Sequence, residues 1–295
     1  MGDDRSFAAE GEPSDEEKGL KMRARNHFRI DVGRSVGYCY IRKNACSAFK
    51  KLVVDTSRAP GSARSNVKPR DRLRYMTEHH RLSRRDLKGM ERVILVLRDP
   101  IDRVVSGYLN QFVLRLDRRA ESMHPVVESA VGKRAGDVTF RDFVERYLGE
   151  TSTRLWNKHF VPQIDHVYPM RYSDVVWQGD LEADMGFVIG RSLARTYFGR
   201  QKNAVRHSDG GATTRASNLS ARRLLRRYRD DGDLPRKDAF LPDELRACLG
   251  DLYADDVRLF AWFMDLRQGK AGPVAMDVRG RLSETGSVNV CSRLE

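Results

Sequence analysis

Two segments of this chain pass from an apolar run through a basic residue into a helical pattern, and that repeated device constrains the fold more than any other feature. The first is Tyr38-Cys-Tyr-Ile-Arg-Lys-Asn-Ala-Cys-Ser-Ala-Phe-Lys-Lys51, and the second is Val93-Ile-Leu-Val-Leu-Arg-Asp-Pro-Ile-Asp-Arg-Val-Val-Ser-Gly-Tyr108. The unbroken apolar run before Arg98 is the pattern of a parallel strand buried on both faces. Pro100 suits the first turn of the following helix, where its missing N–H costs nothing. A strand that turns into a helix beside a fixed cation presents backbone N–H groups and a helix N-terminus to an anion. Two such sites side by side suit a ligand with phosphates at both ends.

The remaining pattern alternates strands with helices. Residues 35–41 read as a strand and 45–54 as a helix. Residues 73–80 read as a short strand, and Ser83-Arg-Arg-Asp-Leu as a capped helix start. Val104, Val105, Tyr108 and Phe112 recur at helical spacing, and Thr139 opens a further helix. Residues 166–171 read as a strand, 181–189 as a helix, and 241–263 as a last helix or pair of helices. Residues 199–218 read as a polar loop. Alternation of this kind predicts an α/β fold, a mainly parallel central sheet flanked by helices, with ligands at the C-terminal strand ends. The organisation expected is a disordered N-terminal segment over 1–30, one domain over 31–267 and a tail over 268–295.

The balance of 54 Lys and Arg against 41 Asp and Glu gives a net charge of +13, which favours anionic partners. A basic nucleic-acid-binding protein is the alternative that this charge raises. Against it, the arginines spread over the whole chain, and no helix-turn-helix, zinc-finger or aromatic RNA-binding motif is evident. The cysteines are Cys39, Cys46, Cys248 and Cys291, with no CxxC pair and no histidine cluster, so no metal site is predicted. No run is long enough for a membrane span and no signal sequence is apparent, so the expectation is a cytoplasmic protein. The glycine spacing of a nucleotide triphosphatase loop, Gly-x-x-x-x-Gly-Lys-[Ser/Thr], is absent. In the first segment Lys43 supplies a point charge, Ala45 a close backbone approach and Ser47 a hydroxyl. In the second, Arg98 and Ser106 offer a guanidinium and a hydroxyl to one phosphate, while Asp99 and Arg103 are spaced to pair and hold the turn.

The first segment resembles the 5′-phosphosulfate loop of the sulfotransferases, especially the carbohydrate sulfotransferases of the family 2 type. Arg98-Asp-Pro-Ile-Asp-Arg-Val-Val-Ser106-Gly-Tyr resembles their 3′-phosphate motif. Asn157-Lys-His-Phe-Val-Pro-Gln163 resembles the family's His-Trp-x-Pro-Gln stretch, with Phe160 in place of Trp. Arg171-Tyr-Ser-Asp-Val-Val followed by Leu181-Glu-Ala-Asp resembles a later segment, and Lys202-Asn203 with Ser208, and Tyr253 with Asp256 and Phe260, fit the C-terminal part loosely. The likeness spans residues 36–265. One departure is Arg42, where the family usually has Pro.

The resemblance implies a P-loop-NTPase-like three-layer fold and transfer of a sulfuryl group from 3′-phosphoadenosine 5′-phosphosulfate (PAPS), without a metal, to an acceptor hydroxyl or amine. Lys43 would act on the bridging oxygen. Arg42, Lys43, Asn44, Ala45, Cys46, Ser47 and Ala48 would cradle the 5′ end, and Arg98 and Ser106 the 3′-phosphate. The acceptor is expected to be an anionic glycan or a small molecule, met by arginine-rich residues 58–74 and 115–134. A histidine suits the general base. His79 and His80 are favoured, His159 is the other candidate, and Glu78 also qualifies. A degenerate relative that binds PAPS or its product without transfer is the remaining alternative.

Overall fold

The computed structural model describes residues 23, 25–59, 67–118, 123–199 and 216–269, together with the backbone of the strand pairs at 207–208, 275–276 and 282–283. Strands β1 (His27–Asp31), β2 (Ser35–Cys39), β3 (Arg92–Leu97) and β4 (Asp174–Trp177) form one sheet in that order. β1 runs antiparallel to β2, while β2, β3 and β4 are parallel, with Cys39 opposite Leu95 and Leu97 opposite Trp177.

Alternate strand residues point to opposite faces, and each face is buried under helices. Ile30, Val36, Tyr38, Ile94, Val96 and Val176 pack on α1 (Cys46–Thr56) and on the later helices α7 (Leu181–Ile189) and α8 (Arg191–Phe198). Cys39, Val93, Leu95, Leu97 and Val175 pack on Leu259 and Phe263 of the last helix, α11 (Ala254–Arg267). This is the three-layer arrangement expected. A second, helical core lies beside it. α4 (Pro100–Gly107), α5 (His124–Val131), α6 (Phe140–Asp142), α9 (Ala221–Asp231) and α10 (Asp243–Leu252) surround Tyr108, Phe112, Phe140, Phe143, Leu224 and Phe240.

Local chemistry accounts for the helix ends. Ser83 and Asp86 cap α3 (Arg84–Lys88) reciprocally, and Thr139 and Asp142 do the same for α6. Asp99 accepts from Asp102 N (2.8 Å) at the start of α4, with Pro100 in its first turn. Gly107 permits a close helix contact, since a Cβ there would lie 2.7 Å from the Phe160 ring.

The structure corrects the sequence reading in four places. Residues 73–80 are not a strand. α2 (Arg72–His79) occupies them, because Tyr75 and Met76 are the buried positions and the His80 N–H returns to the Met76 carbonyl (2.9 Å). The strand expected at 166–171 lies later, at β4. Pro169 lacks an N–H, and the Tyr172 hydroxyl closes residues 168–172 into a loop by bonding both the N–H (3.0 Å) and the carbonyl (3.1 Å) of Tyr168. The ordered domain begins before residue 31, since β1 starts at His27. Asp99 does not pair with Arg103, as described below. The N-terminal residues 1–22, residues 60–66, 119–122 and 200–206, and most of the tail after 269 lie outside the described residues. Parts of the two arginine-rich acceptor segments and Lys202-Asn203 fall there. Among the described residues, no helix is long and apolar enough to cross a membrane.

Candidate functional site

β2 and β3 are adjacent and parallel, so the chain leaves both at the same edge of the sheet. That places the loop 40–45 next to Arg98 and Asp99. In the loop, Lys43 and Ala45 both adopt left-handed backbone conformations, with φ of 72° and 53°. Neither is glycine, so each carries a conformational cost of about 1–2 kcal/mol. The effect is to turn the chain sharply into α1, whose N-terminus at Ala45 has no side-chain cap. The first N–H groups of an α-helix lack internal partners, so α1 presents them outward at the end of the loop, where Lys43 and half-buried Cys46 stand and Ser47 is exposed.

Cations converge on this helix end. Burial and the Arg98 charge, with Arg103 and Arg115 adding to them, hold the Lys43 ammonium down at about 8. Arg98 donates from Nη1 to the Lys43 carbonyl (3.1 Å) and from Nη2 to the Asp102 carbonyl (3.2 Å). Its pKa is lowered to about 10, mainly by burial. Arg103 is fully buried and spans the floor of the site, its Nε donating to the Arg42 carbonyl (3.1 Å) and its Nη2 to the Val161 carbonyl (2.8 Å). Arg103 is therefore spent on holding two loops, and Asp99 on capping α4. Arg103 Nη1 has no protein partner among the described residues. The Arg42 guanidinium lies over the Tyr40 ring, 5.8 Å from its centroid. Ser106 is half-buried on α4, two turns beyond Arg98, and its carbonyl accepts from Asn110 Nδ2 (3.1 Å).

The histidines separate. His159 is brought to the cations: burial, with Arg42, Lys43, Arg115 and Arg103, lowers its pKa to about 3. Its Nδ1 donates to Asn157 Oδ1 (2.7 Å), which leaves Nε2 as the acceptor nitrogen. His79 and His80 are not brought there. His80 is buried, with Nε2 bonded to the Ser57 hydroxyl (2.8 Å) at the C-terminal cap of α1. That is the far end of a helix about 16 Å long at 1.5 Å per residue. The backbone at 80–82 pairs with the outer side of β1, through Arg29 N to the His80 carbonyl (2.8 Å) and Leu82 N to the His27 carbonyl (2.9 Å). His79 and Glu78 are exposed on the same segment. Ser57, His80 and Asp31 line up like a nucleophile, base and orienter, but Ser57 is fully buried and Tyr75 also donates to its hydroxyl (2.8 Å), so the group is structural.

Sequence reasoning assigned no role to two residues that hold the site together, and only a backbone role to a third. Gln163 and Asp256 are fully buried between the two loops and α11. The Asp256 carboxylate accepts from Gln163 N (2.6 Å) and Ile164 N (2.9 Å). Asn44, expected to contribute only its backbone, uses its side chain to bond Val96 O (2.7 Å) and Gln163 Oε1 (2.5 Å). Their presence in matched motifs was the only signal in the sequence.

An arginine-rich cavity of about 650 Å³ opens beside the loop that follows Arg115, lined by Leu116 and Asp117 and by Arg222, Arg226, Arg229 and Asp230 of α9. Arg229 pairs with Asp117, and Arg222 lies 3.7 Å from Asp137. These α9 arginines lie outside the segments expected to meet an acceptor.

Two adjacent strand-to-helix turns, each with a cation at an uncapped or acid-capped helix start, agree with what comparison of the sequence finds. The profile described as "Sulfotransferase family" matches residues 26–262. The chain belongs to the sulfotransferase family. Among curated proteins, this family member is 24% identical over 232 residues to carbohydrate sulfotransferase 11 of Rattus norvegicus, covering 68% of this chain and 63% of that protein. It is 28% identical over 199 residues to carbohydrate sulfotransferase 14 of Mus musculus, covering 60% of this chain and 50% of that protein. The chain thus spans between half and two thirds of the length of these curated relatives. No solved structure matches it.

Proposed function

We propose that this protein transfers a sulfuryl group from PAPS to a hydroxyl of an acidic carbohydrate. The observation that carries the reading is the excess of positive charge at the uncapped start of α1. Lys43, Arg98 and Arg103 meet there, and burial, with the Arg98 and Arg103 charges adding to it, holds Lys43 near 8. Such a site is complementary to a polyanion.

In this reading the N–H groups of Ala45, Cys46 and Ser47 cradle the 5′-phosphosulfate, while those of Asn44 and Ala48 are spent on the Ile41 (3.3 Å) and Ala45 (2.9 Å) carbonyls. Arg98 retains unused N–H donors after its two backbone bonds, and these with the Ser106 hydroxyl hold the 3′-phosphate. His159 Nε2 takes the acceptor's proton as its oxygen attacks sulfur. The bond from sulfur to the 5′-phosphate oxygen breaks in line with that attack, and Lys43 stabilises the charge that builds on the departing oxygen. Positioning and charge stabilisation supply most of the rate, as in phosphoryl transfer. The acceptor meets the Arg222, Arg226 and Arg229 cavity, next to Leu116, while the adjacent Arg115 acts on Lys43 and His159. Two relatives named as carbohydrate sulfotransferases support a glycan acceptor.

The test is sulfate incorporation from labelled PAPS into a panel of acidic and neutral polysaccharides. Transfer to an acidic member that disappears in Lys43→Ala supports the reading. Binding of PAPS with no turnover on any acceptor removes the transferase assignment and leaves a nucleotide-binding relative.

A further inference from the structure

One carboxamide joins the two turns of the site. Gln163 Oε1 accepts from the Asn44 side chain (2.5 Å) and from Arg98 N (3.2 Å), and Nε2 donates to the Arg98 carbonyl (2.9 Å). The same residue therefore grips the loop before α1 and both backbone polar groups of Arg98. Asn44 completes the tie by donating to Val96 O in β3 (2.7 Å). The tie is itself anchored, because Asp256 on α11 holds the Gln163 N–H at 2.6 Å. The loop needs such a hold: Lys43 and Ala45 keep their left-handed conformations, φ 72° and 53°, without glycine.

Resting on the donor-site reading above, we propose that Gln163 fixes the spacing between the two anion sites and so makes the protein select a nucleotide phosphorylated at both ends. The physical reason is effective concentration. When one end of a ligand is seated, the second end binds as an intramolecular event, and its gain is large only if the second site waits at the right distance. Loosening the spacing penalises a two-ended ligand, whereas a one-ended ligand needs only one site and is indifferent to where the other lies. Gln163 is thus a positioning residue, and the signature of its role is a ratio of affinities.

The experiment is calorimetric titration of the wild type, Gln163→Leu and Asn44→Ala with adenosine 3′,5′-bisphosphate (PAP), adenosine 5′-monophosphate and adenosine 3′-monophosphate. Thermal melts confirm that each protein is folded at the titration temperature. Asn44→Ala breaks the same tie from the other side without touching Arg98, which keeps the test live if Gln163→Leu does not fold. The expected result is a loss of about tenfold or more for PAP, with both monophosphates changed by less than about threefold. Equal weakening of all three nucleotides, or an unchanged PAP affinity, overturns the proposal. A wild type that does not prefer PAP over either monophosphate overturns the donor-site reading, and the tie's role falls with it.

Discussion

Arg98 Nη1 donates to the backbone carbonyl of Lys43 at 3.1 Å, so the cation assigned to one end of the nucleotide is bonded to the loop assigned to the other. The two motifs, separated by more than fifty residues of sequence, are parts of one surface. Its consequences can be measured.

The first concerns pH. Lys43 is held near 8 in the free protein by burial and the Arg98 charge. A bound polyanion favours the charged ammonium and raises that value. Below pH 8 the lysine is protonated in both states, so binding takes up no proton there. Above pH 8 binding must take one up, and affinity falls as pH rises, approaching a tenfold loss per unit. Titrations with PAP at pH 7, 8 and 9 in two buffers of different ionisation enthalpy check both the slope and the proton uptake. A flat profile that Lys43→Arg reproduces would contradict the assignment.

Histidine variants should separate as their positions do. His159→Ala is expected to lower kcat by about 10²–10⁴, the usual worth of a general base, with little change in PAP affinity. His79→Ala, exposed beyond the sheet's outer edge, is expected to retain activity. Histidine NMR titration adds a direct readout. The His159 ring, held near 3 by burial and the surrounding cations, should stay neutral from pH 5 to 8 in the free protein. Its midpoint should then rise when PAP supplies negative charge.

Packing at Gly107 gives a stability test away from the chemistry. A methyl group at this position meets the Phe160 ring at 2.7 Å. Gly107→Ala is expected to destabilise by about 1–3 kcal/mol, the range for overpacking a core, seen as a lower denaturant midpoint. Phe160→Leu in the same chain should recover part of that loss. Independent, additive effects of the two substitutions would show that the contact is not the cause.

Asp256 tests the support beneath the site. Its carboxylate is the partner of two buried N–H groups, those of Gln163 and Ile164. Asp256→Ala leaves both unpaired, at about 1–3 kcal/mol each. Chemical denaturation reads the loss directly. A variant as stable as the wild type would mean that the segment at 163–164 finds other partners.

How much of this was legible in the sequence follows from the range of the forces involved. Arg98-Asp-Pro carries its own local physics, an apolar strand, an acid cap and a proline in the first turn, so the turn and its helix could be read directly. The pairing of Asp99 with Arg103 was expected from spacing and does not occur, because the Arg42 and Val161 carbonyls lie within reach of the guanidinium and sequence spacing cannot reveal them. The strand read at 73–80 is a helix because burial on α1 decides the period, and His80 is consequently carried to the end of α1 far from Lys43. Gln163 and Asp256 sat inside matched segments, but their hydrogen bonds span 65 and about 92 residues, and no local pattern announces a contact of that range. The α9 arginines were not singled out at all, because only the fold sets their helix against the segment that carries Arg115.

The central claim is that the loop at Lys43 and the turn at Arg98 form one site for a nucleotide with phosphates at both ends. The most direct measurement is calorimetric titration of the wild type and Arg98→Ala with PAP and with ADP. The account predicts that PAP binds more tightly than ADP to the wild type, and that Arg98→Ala weakens PAP by about ten- to a hundredfold, the worth of one charge-assisted contact, while ADP changes little. Absence of PAP binding by the folded wild type, or equal affinities for PAP and ADP that Arg98→Ala leaves untouched, would contradict it.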